Sequence, residues 1–256
     1  MDGNHGEVRV IGIKGIPMIG KDDDLGKIIC DSTASQGTPV LDDDVIVVAQ
    51  KIVSKAEGRV VKLNAVEPSV FSRRVSKIVG KEPELVELIL RESKSIVRMY
   101  QGHLITETRD GWVCANSGID KSNVSGGESV TLLPINSDRS AAKIRMRIKE
   151  LTGRRVAVIV SDTFGRPLRE GNIDVAIGVS GIEPILDMRG EKDVFDYVLK
   201  VKETAIVDEL ASAAELVIGN AREKTPVAII RGYKYPVSES AKAAKLIRPK
   251  ARDLFI

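Results

Sequence analysis

Hydrophobic and polar positions vary along the chain in ways that predict strands of two kinds. Val8–Ile13 alternates apolar with other residues, the pattern of a strand that is buried on one face. Val45–Ala49 and Val156–Val160 are continuous apolar runs rich in β-branched residues, which is typical of strands buried on both faces. Further short strands are predicted at Val130–Leu133, Val175–Val179 and Val227–Ile230. The strand at Val156–Val160 is expected to end at Ser161-Asp162-Thr163.

A hairpin is predicted in the middle of the chain. Leu104–Thr108 and Trp112–Ala115 have strand-like composition and flank Asp110-Gly111. An aspartate followed by glycine is a strong signal for a two-residue turn between antiparallel strands. Antiparallel pairing is therefore expected here.

Helical periodicity is clearest at Ser140–Thr152. Ile144, Ile148 and Leu151 share one face of this predicted helix, and Gly153 supplies the stop. Two further predicted helices, Pro68–Val79 and Pro83–Ser93, open with a proline, which the first helical turn tolerates. The remaining predicted helices are Asp24–Asp31, Thr204–Val217 and Ser238–Ile247.

This order of elements predicts an α+β fold, with mixed or antiparallel sheets and helices, because hairpins and helices do not alternate as in a doubly wound parallel sheet. The chain has 256 residues, of which 43% are hydrophobic, enough for a sizeable core. No low-complexity linker divides it, so residues 1–256 are predicted to form a single unit.

Charge and composition exclude several classes of partner. The 39 basic and 36 acidic residues leave a formal net charge of +3, and aromatic residues make up only 4%. Neither a concentrated basic surface nor a base-stacking platform is expected, so the prediction is no nucleic-acid partner. No apolar run approaches the roughly 20 residues that span a bilayer, and the polar N-terminus lacks a signal-peptide core. A cytoplasmic protein without a membrane partner is expected.

Cysteine and histidine usage limits the metal chemistry. Cys30 and Cys114 are the only cysteines, and His5 and His103 are the only histidines. Two distant cysteines give no disulfide framework, and a Cys/His zinc site lacks ligands. A catalytic metal would therefore need oxygen ligands, which favours Mg²⁺ or Mn²⁺.

Gly15–Lys21 matches the phosphate-binding pattern G-x-x-x-x-G-K and follows a predicted strand. The pattern next requires serine or threonine, but Asp22-Asp23-Asp24 follows, and Pro17 removes a backbone donor from the loop. A true P-loop is therefore not expected, although the turn could still line a ligand site.

Two polar clusters could supply oxygen ligands. In Asn116–Asn123, Asp120 and its neighbours follow a glycine that permits a close turn; the alternative is an Asx-type turn using the same residues for local hydrogen bonds. Asp162 and Thr163 follow a buried strand, and Arg166 and Arg169 could hold a phosphate or carboxylate. There the alternative is that Asp162 caps the next segment. Both alternatives stay open.

A basic cluster follows the first buried strand. Lys51, Lys55 and Arg59 could bind phosphates, or could form a solvated strand end. The polar segment Asn220–Lys224 by itself indicates only a loop. Oxygen-rich clusters, lysines and the absence of zinc ligands together suit phosphoryl transfer, in which a protein positions groups and metals neutralise charge.

These strings resemble the coenzyme F420-0:L-glutamate ligase family. The Gly15-Ile16-Pro17 turn is followed by Ile52–Arg59, which contains Ser-Lys-Ala-Glu-Gly-Arg. The resemblance continues through Asn116–Val124, which contains Gly-Ile-Asp-Lys-Ser-Asn-Val, and reappears at Ser161–Arg166 and Ala176–Gly181.

The resemblance covers nearly the whole chain, from Val8 to about Gly232, and carries expectations about fold and activity. It implies an α+β fold of two intertwined subdomains and a homodimer. It also implies a ligase that uses GTP to join L-glutamate to the lactyl carboxylate of F420-0, and then adds a second, γ-linked glutamate. Mn²⁺ or Mg²⁺ is the implied cation, with K⁺ as a further candidate.

The same resemblance implies roles for particular residues. Asp120, Asp162 and Thr163 are expected to hold the metal, and Asp120, Asp162 and Lys55 to be catalytic. The expected nucleotide-binding residues are Ile16, Pro17, Met18, Ile19, Gln50, Lys51, Lys55, Asn123, Asn220, Ala221, Arg222, Glu223, Lys224 and Thr225.

Two other functions would use similar groups. One is a metal-dependent nucleotidyl- or phosphotransferase, which could use the same aspartate and lysine groups. A nucleotidyltransferase would release pyrophosphate, where a ligase releases phosphate and a nucleoside diphosphate. A non-catalytic module would bind a deazaflavin or nucleotide without glutamate-dependent hydrolysis.

Overall fold

The structure is a computed structural model and describes residues 6–121, 128–219 and 222–253. Helices and several mixed or antiparallel sheets form it, as the α+β prediction requires. The helices are Leu25–Ser35 (α1), Gln50–Ala56 (α2), Val70–Val79 (α3), Pro83–Glu92 (α4), Ser137–Thr152 (α5) and Ile206–Ile218 (α6). The strands are Arg9–Gly12 (β1), Val45–Ala49 (β2), Val60–Lys62 (β3), Ser93–Tyr100 (β4), His103–Thr108 (β5), Val113–Ala115 (β6), Ser129–Thr131 (β7), Ala157–Arg166 (β8), Arg169–Ser180 (β9), Leu186–Asp187 (β10), Glu203–Thr204 (β11) and Val227–Arg231 (β12).

A five-stranded sheet with the order β1-β12-β2-β8-β9 forms the centre. Its β2 and β8 strands are parallel, and its other neighbouring pairs are antiparallel. Both continuous apolar runs lie in it because both of its faces are covered. Ile46 and Val48 point to the cluster that contains α1 and α5, whereas Val45 and Val47 point to α6.

A third hydrophobic cluster lies apart from the two that cover the faces of the central sheet. It packs α3 and α4 against the β4–β5–β6 sheet and the β3–β7 pair, with Val79, Ile89, Leu104 and Val130 at its centre. The division into two intertwined subdomains stays a prediction, as does the single unit of residues 1–256.

The predicted end of the strand at Ser161-Asp162-Thr163 is wrong. β8 continues to Arg166 and pairs antiparallel with β9, so Asp162 lies inside a long hairpin. The polar residues do not break the strand because Ser161 and Thr163 donate hydrogen bonds to Asp174 on β9.

Several element boundaries also differ from the predictions. The Ser238–Ile247 helix is wrong, since regular structure there is limited to the 3-10 turn Ala243–Leu246. Pro68 lies outside α3, which Ser69 caps by accepting a hydrogen bond from the Ser72 N–H. Leu151 is exposed at the end of α5, whereas Ile144 and Ile148 are buried as predicted.

The predicted hairpin is present as the β5–β6 pair, but its turn is longer than two residues. The Thr108 N–H donates to the Trp112 carbonyl over 2.8 Å, which leaves residues 109–111 in the loop. The sequence did not predict helix α2 or strand β4. In the ranges that the structure describes, no helix is long and apolar enough to cross a membrane.

Candidate functional site

Several predicted segments meet at one edge of the central sheet. Ala49 lies opposite Ser161 because β2 and β8 are parallel, so the residues that follow each of them lie side by side. The β12 strand begins at the same edge, since the Ala49 N–H donates to the Pro226 carbonyl over 2.9 Å. The end of β1 joins this edge through the Ile13 N–H, which donates to the Val227 carbonyl over 2.8 Å. Loops that are far apart in the sequence therefore converge here.

Helix α2 brings both lysines to this edge. It begins directly after Ala49, and its first residue, Gln50, is buried, with its side-chain oxygen accepting a hydrogen bond from Ser54 over 2.9 Å. Lys51 and Lys55 are one turn apart and therefore lie on the same side of the helix. Burial, and then the positive charge of Lys51, lower the pKa of Lys55.

Lys51 links the sheet edge to the predicted Asn116–Asn123 cluster. Its ammonium lies 2.7 Å from a carboxylate oxygen of Asp120. The two residues are 69 positions apart, and each belongs to a segment that was singled out for chemistry. The structure therefore brings these two predicted clusters together.

A left-handed turn precedes Asp120. Asn116, Ser117 and Gly118 have φ values of 53°, 54° and 69° in succession, a conformation that costs energy for residues other than glycine. The Ser117 hydroxyl stabilises the turn through hydrogen bonds with two other hydroxyls, that of Thr106 at 2.7 Å and that of Ser93 at 2.8 Å. Residues 116–118 thus form a turn, and the residue two positions after it, Asp120, reaches the site.

Two backbone hydrogen bonds then hold Asp120 in place. Its N–H donates to the Thr131 carbonyl over 3.0 Å, and the Thr131 N–H donates back over 2.8 Å. At Gly118 an added Cβ would lie 2.7 Å from the Leu133 side chain, so glycine is required by space as well as by φ. Backbone structure rather than side-chain flexibility therefore sets the position of this carboxylate.

Asp162 is half-buried beside these groups, and its pKa is raised to about 7. Burial is the main cause, and the hydrogen bond from the Thr163 N–H opposes it. The carboxylates of Asp174 and Asp120 raise the pKa further, while the charge of Lys51 lowers it. Negative charge thus converges on one place at the sheet edge, which is characteristic of functional sites.

Asp174 is a site neighbour that the sequence analysis missed. It is only 4% exposed and accepts hydrogen bonds from Thr163 over 2.7 Å and Ser161 over 3.0 Å. The available signal was an aspartate directly before the apolar run Val175–Val179.

Arg166 and Arg169 are not brought to the same place. They pair across the tip of the β8–β9 hairpin, where Arg166 donates to the Glu170 carbonyl over 2.8 Å. Four residues of extended strand separate Arg166 from Asp162, a distance of about 13 Å. The prediction that these arginines hold a phosphate or carboxylate beside Asp162 is not supported by this geometry.

The Ile16–Ile19 loop lies along the same edge. Ile19 is buried in the central core, whereas Pro17 and Met18 are exposed. The Asp22 N–H donates to the Ala56 carbonyl over 2.8 Å, which fixes the loop against the end of α2. Because α1 begins only at Leu25, the G-x-x-x-x-G-K match is not followed directly by a helix, as a P-loop would be.

The predicted 220–225 loop is described from Arg222 onwards. Arg222, Glu223 and Lys224 are exposed, while Thr225 is buried and donates a hydrogen bond to the Glu223 carbonyl over 3.0 Å. Thr225 packs so closely against Gly12 that a Cβ on that glycine would lie 2.9 Å from its methyl group. This part of the loop therefore borders the end of β1. The predicted residues Asn123, Asn220 and Ala221 lie outside the described residues.

The donor set at the edge suits a hard divalent cation. Asp120 and Asp162 supply carboxylate oxygens, and the raised pKa of Asp162 reports negative charge that a cation would neutralise. Thr163, the third predicted ligand, follows Asp162 on a strand whose side chains alternate, and its hydroxyl donates to Asp174 on the face that packs against α6. In the part of the chain that the structure describes, no three Asp, Glu, His or Cys side chains form a metal-binding group. Mg²⁺ often takes one or two carboxylates and completes its shell with water and substrate phosphates, so the residues fit a cation of that kind.

Comparison with known proteins gives a consistent match. The model of the F420-0:gamma-glutamyl ligase family matches residues 12–232. The coenzyme F420:L-glutamate ligase of Methanothermobacter thermautotrophicus is 45% identical over 249 residues, 97% of this chain and 98% of that one.

Two further relatives carry the same name. The protein of Methanocaldococcus jannaschii is 49% identical over 217 residues, 85% of this chain and 86% of that one. The protein of Methanosarcina acetivorans is 37% identical over 244 residues, 95% of this chain and 93% of that one. Matches of this length and identity mean that the chain belongs to the F420-0:gamma-glutamyl ligase family.

Proposed function

We propose that this protein joins L-glutamate to the lactyl carboxylate of coenzyme F420-0 at the expense of GTP, and then adds a second glutamate through a γ-linkage. Family membership supports the reaction class. The observation that carries the proposal is the convergence of Lys51, Asp120 and Asp162 at one sheet edge. A basic group beside two carboxylates suits the handling of phosphates with a divalent cation.

The chemistry requires activation of the carboxylate, since a free carboxylate has no adequate leaving group for attack by an amine. An oxygen of the F420-0 carboxylate attacks the γ-phosphorus of GTP, the bond from that phosphorus to the bridging oxygen breaks, and GDP leaves. The glutamate amine then attacks the resulting acyl phosphate at its carbonyl carbon. The carbon–oxygen bond breaks, phosphate leaves and the nitrogen loses a proton, which gives the amide.

The residues of the site have distinct roles in this scheme. Asp120 and Asp162 would hold Mn²⁺ or Mg²⁺, which would supply charge neutralisation for the phosphates when bound. Lys55, whose pKa is lowered by burial, contacts the phosphates as a point charge. Lys51 balances Asp120. K⁺ is a further candidate cation.

The nucleotide is proposed to lie along the sheet edge. Ile16–Ile19 and Arg222–Thr225 border the end of β1, whereas Gln50 and Lys51 follow the end of β2, which pairs with β8. Three strand spacings separate β1 from β8, a distance of about 14 Å that an extended nucleoside triphosphate can bridge.

A homodimer is also proposed. Residues 186–204 are joined by the antiparallel strands β10 and β11, and Val194, Phe195 and Val201 between these strands are almost fully exposed. A group of exposed apolar side chains is typical of an interaction surface, and the partner proposed here is a second copy of the chain. Phe195→Ser should shift the mass measured by light scattering from dimer to monomer. Leu216→Ser, at an equally exposed position on α6, is the control and should not.

The reaction is tested by incubating the protein with F420-0, GTP, Mn²⁺ and L-glutamate. Mass spectrometry should show products with one and then two added glutamates, with GDP and phosphate released in equal amounts. Pyrophosphate release would indicate the nucleotidyltransferase instead. GTP that stays intact would leave only the binding module and contradict the proposal.

A further inference from the structure

The guanidinium of Arg59 lies between two segments of the chain. The sequence groups Arg59 with Lys51 and Lys55 in a basic cluster that could bind phosphates or form a solvated strand end. Its side chain is only 20% exposed. The Nε donates a hydrogen bond to the Leu133 carbonyl over 3.0 Å, and one Nη lies 2.6 Å from a carboxylate oxygen of Glu92. The donors of Arg59 are thus directed at the chain itself.

Both of the segments that the guanidinium contacts support the left-handed turn of residues 116–118. The Leu133 side chain fills the space beside Gly118, where an added Cβ would lie 2.7 Å from it. The residue that follows the glutamate partner is Ser93, whose hydroxyl lies 2.8 Å from the Ser117 hydroxyl. One guanidinium therefore joins the two segments that contact successive residues of the turn.

The turn depends on such contacts because its backbone is strained. Asn116 and Ser117 have φ values of 53° and 54°, a region that costs energy for residues other than glycine. Strained conformations of this kind persist only where the surrounding structure over-determines them. Weakening the surrounding contacts should therefore release the turn, and with it the position of Asp120.

The backbone of Arg59 connects the same turn to the helix that carries Lys51. The Arg59 N–H donates to the Ser54 carbonyl of α2 over 2.8 Å, and the Arg59 carbonyl accepts a hydrogen bond from the Leu132 N–H over 2.9 Å. Leu132 directly follows β7, which also pairs with Asp120. The lysine and the carboxylate of the site are therefore linked through the surroundings of Arg59.

We propose that Arg59 is a positioning residue, which holds the turn of residues 116–118 against helix α2 and so fixes the Asp120 carboxylate beside Lys51. Arginine suits this task because its planar group donates in several directions with fixed geometry, whereas the lysine ammonium is a point charge on a flexible stem. The inference rests on the proposed function, because it takes Asp120 as a ligand of the cation.

Hydrogen exchange in the metal-free protein tests the support of the turn without any ligand. Arg59→Lys keeps the positive charge but replaces the fork of donors with a single nitrogen. The Ile119 N–H donates to the Asn116 carbonyl and the Asp120 N–H to the Thr131 carbonyl, each over 3.0 Å. Mass spectrometry should show faster exchange in the peptide that contains residues 116–121, because these bonds open more often in the variant.

Arg145→Lys is the matched control. The Arg145 side chain is 18% exposed, donates through Nε to the Val156 carbonyl over 2.8 Å and pairs with Glu239, so its contacts are of the same kind. Neither acceptor adjoins the turn. The control should lower the melting temperature to a similar extent as Arg59→Lys, but it should leave the exchange of residues 116–121 unchanged.

Mn²⁺ affinity tests the consequence for the site, measured by electron paramagnetic resonance in the presence of GDP, without turnover. Arg59→Lys should weaken binding about 10-fold, the lower end for loss of a group that supports a metal ligand, since Arg59 acts at a distance. Arg145→Lys should bind Mn²⁺ like the wild type. In the double variant Arg59→Lys with Asp120→Asn, binding should be no weaker than with Asp120→Asn alone, because Arg59 acts through Asp120.

The outcomes separate this role from the proposed function. Exchange of residues 116–121 that is equal in Arg59→Lys and Arg145→Lys overturns the role of Arg59, and so does a double variant whose loss is the product of the single losses. Equal Mn²⁺ affinity in these two single variants overturns it as well. Wild-type protein that does not bind Mn²⁺ overturns the proposed cation site and this role with it. Glutamate addition that fails while Mn²⁺ binding depends on Arg59 overturns only the proposed reaction.

Discussion

The Lys51 ammonium lies 2.7 Å from the Asp120 carboxylate and joins helix α2 to the turn that follows β6. The side chains remain 22% and 36% exposed, so the pair itself contributes little to stability, about 1 kcal/mol or less. The pair matters for its position, since it places the Lys51 ammonium and the Asp120 carboxylate next to Asp162.

Asp120→Asn should reduce turnover about 100-fold or more, equivalent to roughly 3 kcal/mol of lost transition-state stabilisation. Its melting temperature should stay close to that of the wild type because the ion pair is partly exposed. Steady-state kinetics at saturating Mn²⁺ would measure the loss. Asp42→Asn breaks the exposed 2.8 Å pair with Arg154 and serves as the control, with wild-type turnover expected. Turnover of Asp120→Asn equal to that of this control would remove Asp120 from the site.

Lys55→Met should weaken GTP binding by about 1.5–3 kcal/mol, because a charge-assisted contact to phosphate is lost. Calorimetry in the presence of Mg²⁺ would measure this. Lys27→Met, which removes an exposed lysine paired with Asp31 on α1, should have no effect on GTP affinity. Because the pKa of Lys55 is lowered, wild-type affinity should begin to fall at a lower pH than an ordinary lysine would give. Equal affinity in the two variants would assign Lys55 to the solvated surface.

Asp162 should make the stability of the metal-free protein depend on pH. Its pKa is raised to about 7 from an ordinary 3.8, so between these values the folded chain holds a proton that the unfolded chain releases. Folding stability should therefore fall as pH rises from about 4 to 7, and level off above 7.

Asp162→Asn removes this titration and should be increasingly more stable than the wild type over the same range. Melting temperatures at pH 5 and pH 8 in the presence of a chelator would show a larger advantage for the variant at pH 8. A constant difference between the two proteins would mean that Asp162 titrates normally.

Gly118→Ala should be more damaging than an ordinary substitution of glycine at positive φ. The added Cβ would meet Leu133 at 2.7 Å, whereas at Gly153, with a similar φ of 73°, nothing lies within 4 Å. Both variants carry backbone strain, but only Gly118→Ala adds overpacking, which costs about 1–3 kcal/mol more. Chemical denaturation would measure the difference. Mn²⁺ binding should weaken in Gly118→Ala and stay unchanged in Gly153→Ala. Equal Mn²⁺ affinities in the two variants would mean that the turn at Gly118 does not position the site.

The apolar runs were sufficient to predict the central strands. Val45–Ala49 is a strand with the predicted ends, since a β-branched run buried on both faces has few alternatives. Periodicity failed where polar groups have tertiary partners. The β8 strand continues past Ser161 and Thr163 because Asp174 accepts both hydroxyl hydrogen bonds, and no local pattern reveals such a partner.

The ligase family was inferred from shared strings, and the match over residues 12–232 confirms it. The residues alone left Asp120 between a turn and a ligand, and the structure shows a turn that places Asp120 against Lys51. Spacing could not reveal this because 69 residues separate the pair. The roles of these residues as ligands and nucleotide contacts remain predictions.

Activation of the F420-0 carboxylate by phosphoryl transfer is the central claim, and oxygen-18 in that carboxylate tests it most directly. The labelled substrate is incubated with GTP, Mn²⁺ and L-glutamate, and the released phosphate is analysed by mass spectrometry. Attack of the carboxylate on the γ-phosphorus predicts one oxygen-18 atom in the phosphate released by the first addition, whereas the second addition activates the glutamate γ-carboxylate and releases unlabelled phosphate. Phosphate that contains no label, with both labelled oxygens kept in the product or lost to water, would contradict the account.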